Sequence, residues 1–102
     1  MGQARRLTPK RLPEKLLRLR TLLGLTQEQM AEHLSSVKAP PKAGQISRFE
    51  QGKREPSLLV LLAYSRLAGV SIDVLVDDAL DLPERLLGAS GKGMTGMSKR
   101  KN

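Results

Sequence analysis

Residues 25–57 read LTQEQMAEHLSSVKAPPKAGQISRFEQGKREPS. Two short helical patterns lie in this stretch, with a break between them. Thr26-Gln27-Glu28-Gln29 spells a capping box: the Thr26 hydroxyl accepts from the N–H of Gln29, whose side chain reaches back. Leu25 and Met30 stand where a hydrophobic staple would sit, and Met30, Ala31 and Leu34 form an inner stripe. From Ser35 to Gly44 the pattern fails. Pro40-Pro41 cannot continue a helix, and Ala39 before them is pushed towards extended geometry. The spacing predicts a loop of about eight residues there. A further helix is predicted from Lys42 or Ala43 to Gln51, with Ile46 and Phe49 facing inward and Gly52 as its stop.

Outward from this stretch, helical spacing continues on both sides and strand-like alternation is scarce. Upstream, a helix is expected to start near Pro13, which suits a first turn, with Glu14 at the positive end of the dipole. Leu16, Leu19, Leu22 and Leu23 share one face of it, and Gly24 supplies the stop. Downstream, a fourth helix opens at Pro56-Ser57, carries Leu58, Leu61, Leu62 and Ser65 on its core side and ends at Gly69. A fifth is capped by Ser71, has Asp73 in its first turn and Leu75 inward, and fades after Asp78. Pro83 starts a short turn at most. From Gly88 the chain is Gly, Ser and Lys with little to bury, which predicts a disordered tail.

The 102 residues suit one domain with one modest core. With one Phe, one Tyr and no Trp, leucine must fill that core. There is no cysteine, which excludes a disulfide framework, a thiolate nucleophile and a Cys-type zinc site. The single histidine, His33, falls on the outer side of the second helix. With no carboxylate pair in a cleft and no phosphate-cradling glycine loop, the inventory points away from an enzyme, and no cofactor or metal is expected. Asp77, Asp78, Asp81 and Glu84 cluster, but without the alternating oxygen ligands of a cation loop they read as a solvated acidic face.

The net charge is +8, and it is unevenly placed. Residues 1–56 carry twelve Lys/Arg and five Asp/Glu, residues 57–90 carry two and five, and residues 91–102 carry four and none. A basic half followed by an acidic third suggests one binding face for an acidic partner, with nucleic acid ahead of a membrane surface. No apolar run is long enough to cross a bilayer. A soluble cytoplasmic protein, nucleoid-associated when bound to DNA, is the expectation.

Leu25–Leu34 together with Ile46–Ser57 resembles the second helix, the third helix and the following loop of the Cro/C1-type (XRE) helix-turn-helix proteins. Leu61-Leu62 and Ala68–Leu75 resemble the family's last two helices. The resemblance covers residues 13–80 and implies an all-α, five-helix, lambda-repressor-like domain with disordered basic termini. Its expected limits are a flexible basic arm over residues 1–11, the domain over 12–82, and a short turn and tail over 83–102. Family members usually place about six residues between the positions of Leu34 and Ile46, whereas this chain places eleven; lengthening a loop costs the fold little.

The implied function is sequence-specific binding of double-stranded DNA to regulate transcription, with the helix at about 42–51 in the major groove. Arg48 lies about 100° from Phe49 on that helix, outward, where two donors can grip guanine O6 and N7. Gln45 suits an adenine. Lys42 either reads a base edge or, as part of the inserted loop, meets phosphate. Ala43 and Gly44 offer a thymine methyl contact or close approach. Gln27 is implied to bond a phosphate at a helix N-terminus, and Ser47, Lys53 and Arg54 follow the same logic. The resemblance implies a structural ion pair between Arg20 and Glu50. Arg5, Arg6, Lys10 and Arg11 read as an arm along DNA or as an unstructured leader. Val74, Val76, Leu80 and Leu82 suggest a homodimer surface. The rival reading is a protein-binding adaptor or antitoxin whose acidic 71–84 segment meets a protein partner.

Overall fold

The computed structural model describes residues 9–86, and they form five helices joined by turns and loops, with no strand among them. The helices are α1 (Leu12–Leu23), α2 (Gln27–His33), α3 (Ala43–Gln51), α4 (Leu58–Ala68) and α5 (Ile72–Val76). The arm at Arg5 and Arg6 and the tail from Gly88 lie outside the described residues.

Local chemistry sets the helix ends. Thr26 Oγ1 accepts from the Gln29 N–H at 3.0 Å while Gln29 Oε1 accepts from the Thr26 N–H at 2.9 Å, which completes the expected capping box. Ser57 and Ser71 cap α4 and α5 through their hydroxyls. Gly24, Gly52 and Gly69 end α1, α3 and α4 in the left-handed region, at φ 73°, 75° and 72°.

Leucine does fill the core. Leu12, Leu16 and Leu19 of α1 meet Met30 and Leu34 from the α2 side, Ile46 and Phe49 of α3, Val60, Leu61, Tyr64 and Ala68 of α4, and Leu75 of α5. Tyr64 is fully enclosed and its hydroxyl has no hydrogen-bond partner among the described residues. Burial pushes its phenol pKa well above the ordinary range.

Several expectations are corrected. Leu58 is not on the core side of α4. It is 70% exposed, because the inward stripe is Val60, Leu61, Tyr64, Ser65 and Ala68, which starts two residues later. Ala39 is not extended. Its φ is +55°, in a region where a side chain costs on the order of 1 kcal/mol. The turn brings Pro41 back to a buried position just ahead of α3. Finally, α5 ends at Val76, and the chain after it returns to the body: Leu82 packs against the core and Leu86 is buried within it.

That return uses the acidic cluster. Asp78 Oδ2 and Oδ1 accept the backbone N–H groups of Lys10 and Arg11 at 2.9 and 3.0 Å, capping the start of α1 from across the chain. The Arg11 guanidinium bonds the Asp78 and Leu80 carbonyls and the Asp81 carboxylate. Lys10 and Arg11 therefore belong to the fold and not to a free arm, and Asp78 and Asp81 are not simply solvated. The two backbone N–H donors hold the Asp78 pKa below its ordinary value. A carboxyl with a depressed folded pKa stabilises the fold above its unfolded pKa and loses that contribution as pH falls through the folded value. Asp78→Asn is accordingly expected to lower the thermal midpoint at neutral pH, with the gap to wild type closing below about pH 4.

Candidate nucleic-acid interface

The geometry of α3 follows from its inward pair. At about 100° per residue, Gly44, Ser47, Arg48 and Gln51 span an arc opposite Ile46 and Phe49. Gly44, Arg48 and Gln51 are exposed and Ser47 is half-buried. This is the open face of the helix. Arg48 stands on it. Past Gly52, the N–H groups of Lys53 and Arg54 both donate to the Arg48 carbonyl, at 2.9 and 3.3 Å. This closure fixes where the two exposed cations begin.

The other residues singled out in the sequence are placed differently. Gln45 lies on the flank beside Phe49, half-buried, and its Oε1 accepts from the Lys42 N–H at 3.1 Å. It caps α3, and Nε2 is what it has left to offer a ligand. Lys42 is exposed at the N-cap and Ala43 is half-buried. Gly44 has helical φ, and a Cβ added to it would meet nothing within 4 Å. The fold does not require a glycine there. Gly44→Ala should stabilise the protein by about 0.5–1 kcal/mol, read as a raised thermal midpoint.

Behind the open face, one carboxylate ties three helices together. Glu50 Oε2 accepts from Arg20 Nε at 2.6 Å, and Oε1 accepts from Arg20 Nη2 at 3.0 Å and from Gln27 Nε2 at 3.1 Å. Arg20 Nη1 reaches the Leu25 carbonyl at 2.9 Å. Both charges are largely out of water, with side-chain exposures of 16% for Arg20 and 5% for Glu50. Donating these hydrogen bonds to the Glu50 carboxylate raises the Arg20 pKa further. The pair locks α1 to α3, and Gln27 adds the first residue of α2. One amide hydrogen of Gln27 is thus engaged by Glu50, and the residue is the first of α2, at the positive end of the helix dipole.

Sequence reasoning missed two residues. Gln51 lies on the open face one turn after Ser47 and donates to the Ser47 hydroxyl at 2.8 Å. The helical angle that singled out Arg48 would have found it. Lys15 is 2% exposed, and its ammonium donates to the Val74 and Asp77 carbonyls at 2.8 and 2.9 Å. No signal marked it, because a lysine beside two leucines reads as solvated. His33 is exposed, and no three His, Asp or Glu side chains among the described residues are grouped to hold a metal. No helix among them is long and apolar enough to cross a membrane.

A capped α2, a turn, and an α3 that presents a cationic face while braced from behind define a helix-turn-helix unit. The helix-turn-helix family model matches residues 42–75, from the start of α3 into α5. The chain belongs to the Cro/C1-type (XRE) helix-turn-helix family, whose named members here are transcriptional regulators and not enzymes. It is 32% identical over 83 residues to the SPbeta prophage-derived uncharacterized HTH-type transcriptional regulator YonR of Bacillus subtilis, covering 72% of each chain. It is 41% identical over 63 residues to the HTH-type transcriptional activator BcrR of Enterococcus faecalis, covering 62% of this chain and 28% of that one. The chain therefore spans little more than a quarter of BcrR. No solved structure matches.

Proposed function

We propose that this chain binds double-stranded DNA sequence-specifically and regulates transcription by occupying its site. The observation that carries the reading is the open face of α3, where Arg48 stands exposed with Lys53 and Arg54 anchored at its end. In this reading α3 enters the major groove. Arg48 grips guanine O6 and N7, Gln45 and Lys42 work from the flank and N-terminus, and Ala43 and Gly44 let the backbone approach closely. Gln27, Ser47, Lys53 and Arg54 hold phosphates and set the register. Two half-sites call for two copies, so self-association is part of the proposal. Of the four residues expected at that surface, Leu82 packs inward, Val74 is half-buried, and Val76 and Leu80 remain exposed.

Selection of bound duplexes from a random pool at physiological salt tests the reading, and an enriched motif is expected. On that motif Arg48→Ala should lose about 1–3 kcal/mol and relax the preference at one base pair, while Lys53→Ala should weaken all sequences alike and reduce the salt slope by about one unit. Equal loss on random and selected DNA for Arg48→Ala would remove base reading by that residue.

A further inference from the structure

We propose that copies of this chain associate head to tail, the acidic edge after α5 of one copy seating in a cation-rimmed apolar groove at the start of α4 of the next. It is a second mode of self-association beside the pairing on two half-sites, and it forms off DNA, because Gln45 and Arg54 border the groove as well as the face proposed for DNA.

The groove is made where the inserted loop meets α4. An open cleft of ≈ 810 Å³ lies between Lys38, Pro41 and Gln45 on one side and Arg54, Leu58 and Leu59 on the other. A second, of ≈ 500 Å³, runs along the far side of Leu59 between Lys38 and Arg66. Leu59 is thus a ridge between two clefts, and Lys38 borders both. Leu58 and Leu59 are the most exposed large apolar side chains among the described residues, at 70% and 53%. Glu55 is the acid on the wall of the first cleft, and no acid lines the second. Adjacent exposed leucines under a basic rim mark an interaction surface for something apolar and negatively charged.

The chain carries a surface of that chemistry. Val76 and Leu80, at 37% and 40%, are exposed beside Asp73 and Asp77, which are also exposed. A single copy cannot join the two surfaces. Leu58 and Leu59 stand in the first turn of α4, and α5 begins beyond its last, with eleven residues of helix, about 16 Å, between them. The chain's own ends do not fit the groove either. Residues 1–8 and 87–102 carry arginine and lysine and no acid, and would bring cations to a cationic rim. A two-fold pairing of the acidic edges would set Asp73 and Asp77 against themselves. Groove to edge joins opposite charges and covers both apolar pairs. Such a contact is heterologous, so it propagates from copy to copy.

Sedimentation of the full chain without DNA, over a concentration series at low and physiological salt, tests this. The expected mass rises with concentration past that of a dimer and falls with salt. Leu58→Ser/Leu59→Ser removes the apolar part of the groove and Val76→Ser/Leu80→Ser that of the edge, without adding charge to either. Each pair lies on exposed positions, and circular dichroism with thermal melts checks that each variant remains folded. Each alone should lose about tenfold or more in association. Mixed one to one, the two variants should form a dimer and stop there, because one intact groove and one intact edge remain. A monomeric wild type, a wild type that stops at a dimer, or a mixture that stays monomeric would each overturn the proposal. Failure here leaves the duplex selection untouched, and failure of the selection leaves the sedimentation result standing.

Discussion

Replacing Glu50 with alanine is expected to cost about 3–5 kcal/mol of folding stability, measured by urea denaturation. The size follows from what is stranded. Arg20 keeps its charge with little access to water, and it loses both hydrogen bonds to the carboxylate. Gln27 loses its partner as well. The cost belongs to the orphaned cation more than to the pair, so Arg20→Met/Glu50→Met should recover most of it. Affinity for DNA should not recover in step. The double variant keeps the packing of α1 on α3 but drops the tie to the start of α2, and the two elements proposed to face the duplex are no longer held in one register. An alanine variant that unfolds at the wild-type urea midpoint would show that the brace contributes nothing.

The second large effect is expected at Lys15. Lys15→Met keeps an apolar stem of similar length and removes two charge-assisted hydrogen bonds, those to the Val74 and Asp77 carbonyls. Such bonds contribute roughly 1.5–3 kcal/mol each, and some of this is returned because a buried ammonium no longer has to be desolvated; a net loss of about 2 kcal/mol is expected. The loss should be local. α5 has only five residues and cannot hold itself together. Hydrogen exchange should quicken over residues 72–80 before it quickens in α1 or α4. Uniform acceleration would mean that Lys15 acts on the whole core and not on this segment.

How much of this was legible beforehand depends on the range of the interaction. The capping box at Thr26 and Gln29, the stops at Gly24, Gly52 and Gly69, and the inward pair Ile46 and Phe49 are written within a turn or two of chain. Propensity and periodicity reveal such features directly. Arg48 follows from the inward pair by rotation alone, and Gln51 was within reach of the same step. Leu58 was misplaced because α4 is apolar on nearly every side, so spacing could not say which leucines face in.

The amino-acid order by itself determined that this chain makes five helices, where most of them begin and end, and which side of α3 carries its arginine. Those features arise from bonds and steric limits between near neighbours. Only the tertiary structure decided that Lys15 lies buried, that Asp78 caps α1 from almost the other end of the described chain, and that the insert and α4 leave two leucines uncovered between basic side chains. Each of these depends on groups more than fifteen residues apart meeting in space, and no local pattern encodes that meeting.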